Sequence, residues 1–474
     1  MTSKVVCAWG AFSLVAAFAA CTGGYVEDPA GYCRQRPNEP GCVAPTGGQG
    51  GAAGATQQGQ GGAPAMGSGG GPVAGGGGRG GGGGGGGLAC EAPQIDCGGA
   101  CADVGADAAN CGECGYACGA GSTCAGGACA PVAVVSDVVA PYAFALDAAN
   151  VYFASPVKTQ GAVNVAVPIK RAPLAGGAPT DVPFTGDPVP AFRARALDLF
   201  GGTIYFGHLD SGGALRKGSA AGGDVTTHAS TQPAVQQVVA HEGFVWWSTF
   251  SGGTSRVRRA PFEGAPIAVE ELTPATPQFG QVPSLAVEGA GADAVVYWVN
   301  RGGDVADDNG LWRRAFAAGV TGPEPLVEGG AMFQVVVGPD ALYVADAAVG
   351  IGKASKAGAQ AALTTVVGAP DLGGTLQGLA AADDKLYWLA LTAGGQLELH
   401  RSGLDGAGAR VLGRVAVKSL PSWTQQLLGP SQLVVDGGFV YFSDPGTVTD
   451  VVQEDPTISN AKGAADGAIY RLPK

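Results

Sequence analysis

The cysteines are the residues of this chain most able to do chemistry, because thiolates that lie close together either bind a metal or oxidise in pairs. There are twelve, all before residue 130. Cys7 lies in an apolar segment and Cys21 ends it. The others form an even set, which predicts a disulfide framework made in an oxidising compartment. This set is Cys33, Cys42, Cys90, Cys97, Cys101, Cys111, Cys114, Cys118, Cys124 and Cys129. We expect Cys33 to pair with Cys42, and the other eight to pair in an order that spacing does not reveal.

Metal binding is the alternative interpretation of those eight cysteines. Cys111 and Cys114 have the C-x-x-C spacing of zinc ligands, but no second such pair follows at zinc-ribbon spacing and no histidine lies nearby. A redox-active C-x-x-C is expected in a βαβ unit, which this segment does not predict. Disulfides are therefore favoured.

Histidines and acidic loops are the other candidates for chemistry. His208, His228, His241 and His400 have no partner at metal-ligand spacing, and no GxSxG or HExxH motif occurs, so no catalytic residue is predicted. Three carboxylates, Asp304, Asp307 and Asp308, crowd one loop before Asn309. Such oxygen-rich loops suit Ca²⁺, although their spacing is not that of an EF-hand and Asp is an ordinary turn residue. Calcium is the one candidate cofactor, and no other is predicted.

The N-terminal segment reads as an export signal over residues 1–20. Lys4 precedes an apolar run, Val5 to Ala20, that is shorter than the about 20 residues of a membrane span and ends in small residues. The sequence Phe18-Ala19-Ala20-Cys21 resembles the lipobox of bacterial lipoproteins. The resemblance implies that Cys21 is lipidated, and that Thr22 directs the protein to the outer membrane, on its periplasmic or cell-surface side. The net charge of −12, without a Lys/Arg cluster, disfavours nucleic acid as a partner.

Changes in amino-acid composition divide the rest of the chain into segments. Residues 21–45 form the lipidated N-terminus with the Cys33/Cys42 loop, and residues 46–87 a Gly-rich linker too poor in apolar side chains to fold. Residues 88–130 form the disulfide-rich module, and residues 131–474 the repeat region. The run Cys97-Gly98-Gly99-Ala100-Cys101, followed by the cysteines to Cys124, resembles the small modules related to plant stigma-specific proteins. That resemblance implies a spacer or adhesive stalk without chemistry.

The repeat region contains seven copies of one sequence pattern: an apolar strand, a short turn and a strand centred on an aromatic residue. Most copies add a third strand with a basic residue. The aromatic positions are 41 to 54 residues apart, near the period of a four-stranded propeller blade. They are Tyr152, Tyr205, Trp246, Tyr297, Tyr343, Tyr387 and Tyr441. We predict an all-β, seven-bladed β-propeller in which these aromatics pack between blades. The repeat resembles the YWTD propellers, most closely at Tyr441-Phe442-Ser443-Asp444.

Ring closure and function follow as expectations from this architecture. The last copy has three strands, and the unmatched apolar strand Val132 to Val135 should supply its fourth. A binding propeller for an extracytoplasmic protein or polysaccharide is favoured. The alternative is a propeller enzyme, such as a lactonase-like hydrolase or a lyase, which needs carboxylates or histidines converging on the central channel. A quinone-dependent dehydrogenase would show a regular Trp motif in every blade, and this sequence does not.

Overall fold

The computed structural model describes residues 88–155, 158–159, 168–186, 194–208, 213–264, 266–273, 279–302, 309–316, 322–417, 432–449 and 462–474. The predicted signal peptide, Cys21, the Cys33/Cys42 loop and the Gly-rich linker lie outside these residues. So do the calcium candidates Asp304, Asp307 and Asp308. No helix among the described residues is long and apolar enough to cross a membrane.

Seven four-stranded antiparallel sheets form the blades of a β-propeller, which confirms the predicted fold. We number the blades in chain order and the strands of each blade one to four from the channel outward. Blade 1 is Ala143–Leu146, Asn150–Ala154, Lys170–Pro173 and Thr180–Asp181; blade 2 is Ala194–Phe200, Thr203–His208, Leu215–Ser219 and Thr226–Ala229; blade 3 is Val235–His241, Phe244–Ser251, Thr254–Pro261 and Glu270–Glu271; blade 4 is Gln281–Glu288, Val295–Arg301, Gly310–Ala315 and Glu324–Glu328. Blade 5 is Met332–Val337, Leu342–Asp346, Gly350–Ala354 and Thr364–Gly368; blade 6 is Thr375–Ala382, Lys385–Leu391, Gln396–Gly403 and Arg410–Ala416; blade 7 is Leu433–Asp436, Phe439–Asp444, Gly467–Pro473 and Val132–Val138.

Shorter elements lie between and beside the blades. Among the described residues there are two 3₁₀ helices: Gly291–Asp293 precedes the second strand of blade 4, and Ala369–Leu372 precedes the first strand of blade 6. The remaining strands are Ile95–Asp96 with Cys101–Ala102, Cys124–Ala125 with Ala128–Cys129, Phe184–Thr185 with Gly223–Asp224, and the three-stranded set Val448–Thr449, Lys462–Gly463 and Lys158–Thr159.

The ring closes as the sequence predicts. Strand Val132–Val138 pairs antiparallel with Gly467–Pro473, with Val132 opposite Arg471 and Val135 opposite Ile469. One blade therefore contains strands from both ends of the repeat region, which removes the two unpaired edges that an open array would expose.

The recurrent aromatics pack between blades, as predicted. All seven are at most 3% exposed. Opposite each one, on the third strand of the same blade, stands a basic residue: Arg171, Lys217, Arg259, Arg313, Lys353, Arg401 and Arg471. Several of these reach a backbone carbonyl of the next blade, as Lys217 does to Phe262 at 2.7 Å and Arg471 to Leu174 at 2.7 Å. The aromatic and basic repeat is thus part of the scaffold.

The disulfide framework predicted for the module is present. Cys90 pairs with Cys101, Cys97 with Cys114, Cys111 with Cys124, and Cys118 with Cys129. The three Sγ atoms of Cys111, Cys118 and Cys129 lie within 4.8 Å of one another. Each of them belongs to one of these bonds, so they are not thiolate ligands.

The module packs against the propeller. It belongs to the same compact unit as the propeller, residues 86–474. Cys129 pairs in parallel with Gly413 of the outer strand of blade 6, and the Tyr116 ring joins a core cluster with Leu412 and Leu472. Glu113 accepts from Arg401 and Arg410 at 2.7 Å each. The module therefore covers the outer seam between blades 6 and 7.

The antiparallel order of the strands gives the disc two distinct faces. The upper face carries the beginnings of all first strands, with the connections from second to third strands. The lower face carries the tight turns from first to second strands, such as 147–149 and 201–202. Arg410 and Pro473, which contact the module, stand at the lower ends of their strands. The module thus lies toward the lower face.

Candidate ligand site in the central channel

A repeated hydrogen bond holds the first strands together around the channel. Each first strand has a residue two positions before the partner of the recurrent aromatic, which we call the clamp position. Its occupants are Ala143, Ala196, Gln237, Ser284, Gln334, Gly378 and Gln432. In blades 2 to 6 a register shift of the first strand falls just before this position. A bulge of this kind re-aims a side chain, here toward the neighbouring blade.

Where the clamp residue is polar, it bonds the backbone of the next blade. Gln334 accepts from the Leu379 N–H at 2.8 Å and donates to its carbonyl at 2.9 Å. Gln237 does the same to Leu285, at 2.5 and 3.4 Å. Ser284 does so to Val335, at 3.1 and 3.5 Å, and Gln432 accepts from the N–H of Phe144. These bonds satisfy groups on the inner edge of the first strands, which no further strand covers.

The clamp is missing in three blades. Ala143, Ala196 and Gly378 have no polar side chain, so the first strand of the next blade receives no clamp bond from them. A cavity of about 110 Å³ opens in the channel. Its wall includes Tyr142, Arg195 and Gln236 from blades 1 to 3, and also the clamp residues Gln334 and Gln432 of blades 5 and 7. The cavity therefore spans the channel near its upper mouth, and two of the three missing clamps border it.

Arg195 is the cation of this cavity. Its side chain is 9% exposed, and it donates a hydrogen bond to the Tyr142 hydroxyl oxygen. Burial lowers the pKa of the Arg195 guanidinium, although arginine stays charged at any ordinary pH. Burial likewise raises the pKa of Tyr142 to about 12, so its hydroxyl is neutral. Among the described residues no carboxylate pairs with Arg195. A buried cation with no anion is costly and is the natural counterpart of an anionic ligand.

Gln236 adds an unpartnered acceptor to the same cavity. Its Nε2 donates to the carbonyl of Ala234 at 2.9 Å, whereas its buried Oε1 has no hydrogen-bond partner among the described residues. An acceptor buried without a partner costs about 1–3 kcal/mol. The cavity thus presents one cation, one phenol and one free acceptor.

The histidines do not converge on this cavity. His228 packs edge-on against Tyr205 between blades 2 and 3, and burial with the nearby Lys217 lowers its pKa to about 4. His400 stacks on Trp388 with its Nε2 3.2 Å from a Glu398 oxygen. His241 contacts the Gly289 carbonyl at 2.9 Å. The side chain of His208 lies outside the described residues.

Acid–base chemistry lacks its groups at this site. Within the described residues, no carboxylate and no histidine lines the cavity. Asp444 is buried and accepts from the N–H of Gly446 at 2.9 Å, as a turn residue does. The arrangement can bind and orient a polar ligand, and the described part of its lining contains no pair that could act as acid and base.

Sequence reasoning missed Tyr142, Arg195 and Gln236. All three occupy one register position, immediately before the clamp position, so an alignment of the seven copies would have placed them together. Arg195 also stands between Ala194 and Ala196 in an otherwise apolar strand. That isolated charge was the available signal.

Comparison with known proteins found distant structural similarity alone. No protein-family model and no curated protein matches the chain. Among solved structures, the computationally designed protein Ika8 is 12% identical, with a TM-score of 0.42 over 72% of this chain and 99% of its own. The aldose sugar dehydrogenase of Streptomyces coelicolor, solved with pyrroloquinoline quinone bound, is 14% identical, with a TM-score of 0.37 over 72% of this chain and 96% of its own.

Proposed function

We propose that this protein is a lipoprotein of the outer membrane whose β-propeller binds an extracytoplasmic protein or polysaccharide. The observation that carries the binding role is the channel cavity, in which the buried cation Arg195 faces ligand space and no acid–base pair is present among the described residues. Rigid scaffolds with a few convergent polar groups are the usual form of a binding site.

The proposed anchor rests on the sequence. Cys21 is the residue that we expect to carry the lipid, and the Gly-rich linker would separate it from the folded part. The module and the cavity lie toward opposite faces of the disc, so a partner could approach the upper mouth without meeting the module. The three carboxylates Asp304, Asp307 and Asp308 stay a calcium candidate for bridging such a partner.

Two measurements test this proposal. The first is fatty-acid labelling of the wild-type chain and of Cys21→Ser, where only the wild type should incorporate lipid and fractionate with outer membranes. Equal labelling of both would contradict the anchor. The second is binding of the full chain carrying Cys21→Ser to isolated envelope proteins and polysaccharides, with and without a calcium chelator.

Catalysis is the outcome that would replace the binding role. A panel of lactones, esters and glycans should show no turnover above the level of Arg195→Met. Turnover that one carboxylate or histidine substitution abolishes would establish the propeller enzyme, a lactonase-like hydrolase or lyase, in its place.

A further inference from the structure

We infer that the channel cavity is a site for a sugar acid, in which Arg195 binds the carboxylate and Gln236 accepts from a neighbouring hydroxyl. This inference rests on the proposed binding function and names its ligand class. It also uses three features that the scaffold leaves without an explanation: the buried cation, the free amide oxygen and the two absent clamps that border the cavity.

The charge of the site selects an anion. Arg195 is 9% exposed, and its one polar partner among the described residues is the neutral Tyr142. A guanidinium has five donors arranged as a fork, so one hydrogen bond to a phenol leaves most of them available. A carboxylate matches this fork with two parallel hydrogen bonds.

Two missing clamps leave room beside Arg195. At Gln237, Ser284 and Gln334 a side chain occupies the bonds to the next first strand. At Ala143 and Ala196, which line the cavity, a methyl group ends short of that strand. A ligand oxygen in this space would take the place of a clamp oxygen toward the N–H of Leu197 or Val238.

The free acceptor distinguishes a hydroxy acid from a simple anion. The Gln236 Oε1 atom needs a donor, and a simple carboxylate such as acetate has none. A sugar acid carries hydroxyl groups beside its carboxylate and satisfies both needs at once. The volume of about 110 Å³ accommodates a part of one sugar ring, with the rest directed to the open mouth. A terminal or side-chain uronate of an envelope polysaccharide fits this description.

Calorimetric titration of the full Cys21→Ser chain with glucuronate and galacturonate, and with glucose and galactose as their neutral counterparts, tests the ligand class. We expect binding of the acids alone. Arg195→Met and Gln236→Leu should each weaken it about ten-fold or more, because each removes hydrogen bonds to the ligand. Arg301→Met removes an exposed cation outside the cavity and is the matched control, which should bind as the wild type does.

Thermal unfolding of the same variants separates a ligand site from a structural role. Without ligand, Arg195→Met should unfold at the wild-type temperature or above, because it removes a buried charge that has no anion. A large fall in Tm would show that Arg195 serves the scaffold and would overturn the inference, as would failure of both uronates to bind.

Other outcomes distinguish this inference from the function on which it rests. An envelope polysaccharide that binds equally well after its carboxyl groups are reduced would overturn the sugar-acid site and leave the binding module intact. Binding of peptides through a free C-terminus, without uronate binding, would do the same in favour of a protein partner. Turnover of a bound uronate would overturn the binding function but not the assignment of the carboxylate to Arg195.

Discussion

Tyr116 of the disulfide module donates a hydrogen bond to the backbone carbonyl of Pro473, at 2.8 Å and across 357 positions of the chain. The same ring lies 4.3 Å from the Arg410 guanidinium, measured to the ring centroid. One side chain therefore joins the module to the outer part of blade 6 and to the third strand of blade 7. It makes the module part of the closure of the ring.

Removing this side chain should destabilise the whole propeller. We expect Tyr116→Ala to cost about 3–5 kcal/mol of unfolding free energy, as for other buried aromatics, and Tyr116→Phe about 1 kcal/mol for the lost hydrogen bond. Urea denaturation measures both. Ile95→Ala, at an exposed site of the same module, is the control and should change little.

Shortening the chain should weaken the ring in two steps. A chain of residues 131–474 lacks the module and should have a lower Tm than the full chain. A chain of residues 139–474 also lacks the outer strand of blade 7, so its Tm should fall further, because Gly467–Pro473 becomes an open edge. Equal Tm values for the two short chains, measured by calorimetry, would mean that strand Val132–Val138 is not needed for closure.

Each polar clamp residue should contribute to the stability of the propeller. Gln334→Leu removes both bonds to Leu379 and leaves its N–H and C=O unpaired toward the channel, which should cost about 1–3 kcal/mol. Denaturant unfolding gives the value. Gln396→Leu, an exposed position in blade 6, controls for the loss of an amide, and a cost as large there would argue against a specific clamp role.

Installing a clamp should close the cavity. We expect Ala143→Gln to bond Leu197 as Gln334 bonds Leu379, to stabilise the fold by up to about 1 kcal/mol and to abolish ligand binding. Ala143→Leu fills the same space without hydrogen bonds, so it should block binding with no gain in stability. Ligand binding by both variants at the wild-type affinity would place the site elsewhere.

Acid should destabilise the protein partly through His228. Its pKa is about 4 in the fold, against 6.5 for an ordinary histidine, so the unfolded chain binds a proton between these pH values and the folded chain does not. Its contribution is fully present above pH 6.5 and is lost as the pH falls toward 4. We expect His228→Phe to reduce the loss of unfolding free energy between pH 7 and pH 4.5 by about 1–2 kcal/mol.

The propeller fold could be predicted from the sequence because the strand pattern of its blades repeats. Seven aromatics at a blade-like spacing identify the second strands, and the unmatched strand near Val132 identifies the closure. The ring of clamps could not be predicted from the sequence, since Ala143 and Ala196 are unremarkable there and have meaning only beside Gln237 and Gln334. The packing of the module against the propeller could not be predicted for a different reason. A disulfide-rich segment can be stable by itself, and nothing in its sequence indicates that Tyr116 contacts a distant strand.

The pairing of Val132–Val138 with Gly467–Pro473 also determines when in folding the ring can close. During synthesis the strand near Val132 emerges early, and its partner near Arg471 emerges more than three hundred residues later. Until then blade 7 is incomplete and the ring has an open gap. Contacts between positions so far apart form slowly, because the loop between them must be ordered first. The ring of such a chain acquires its final rigidity only after its last strand has been made.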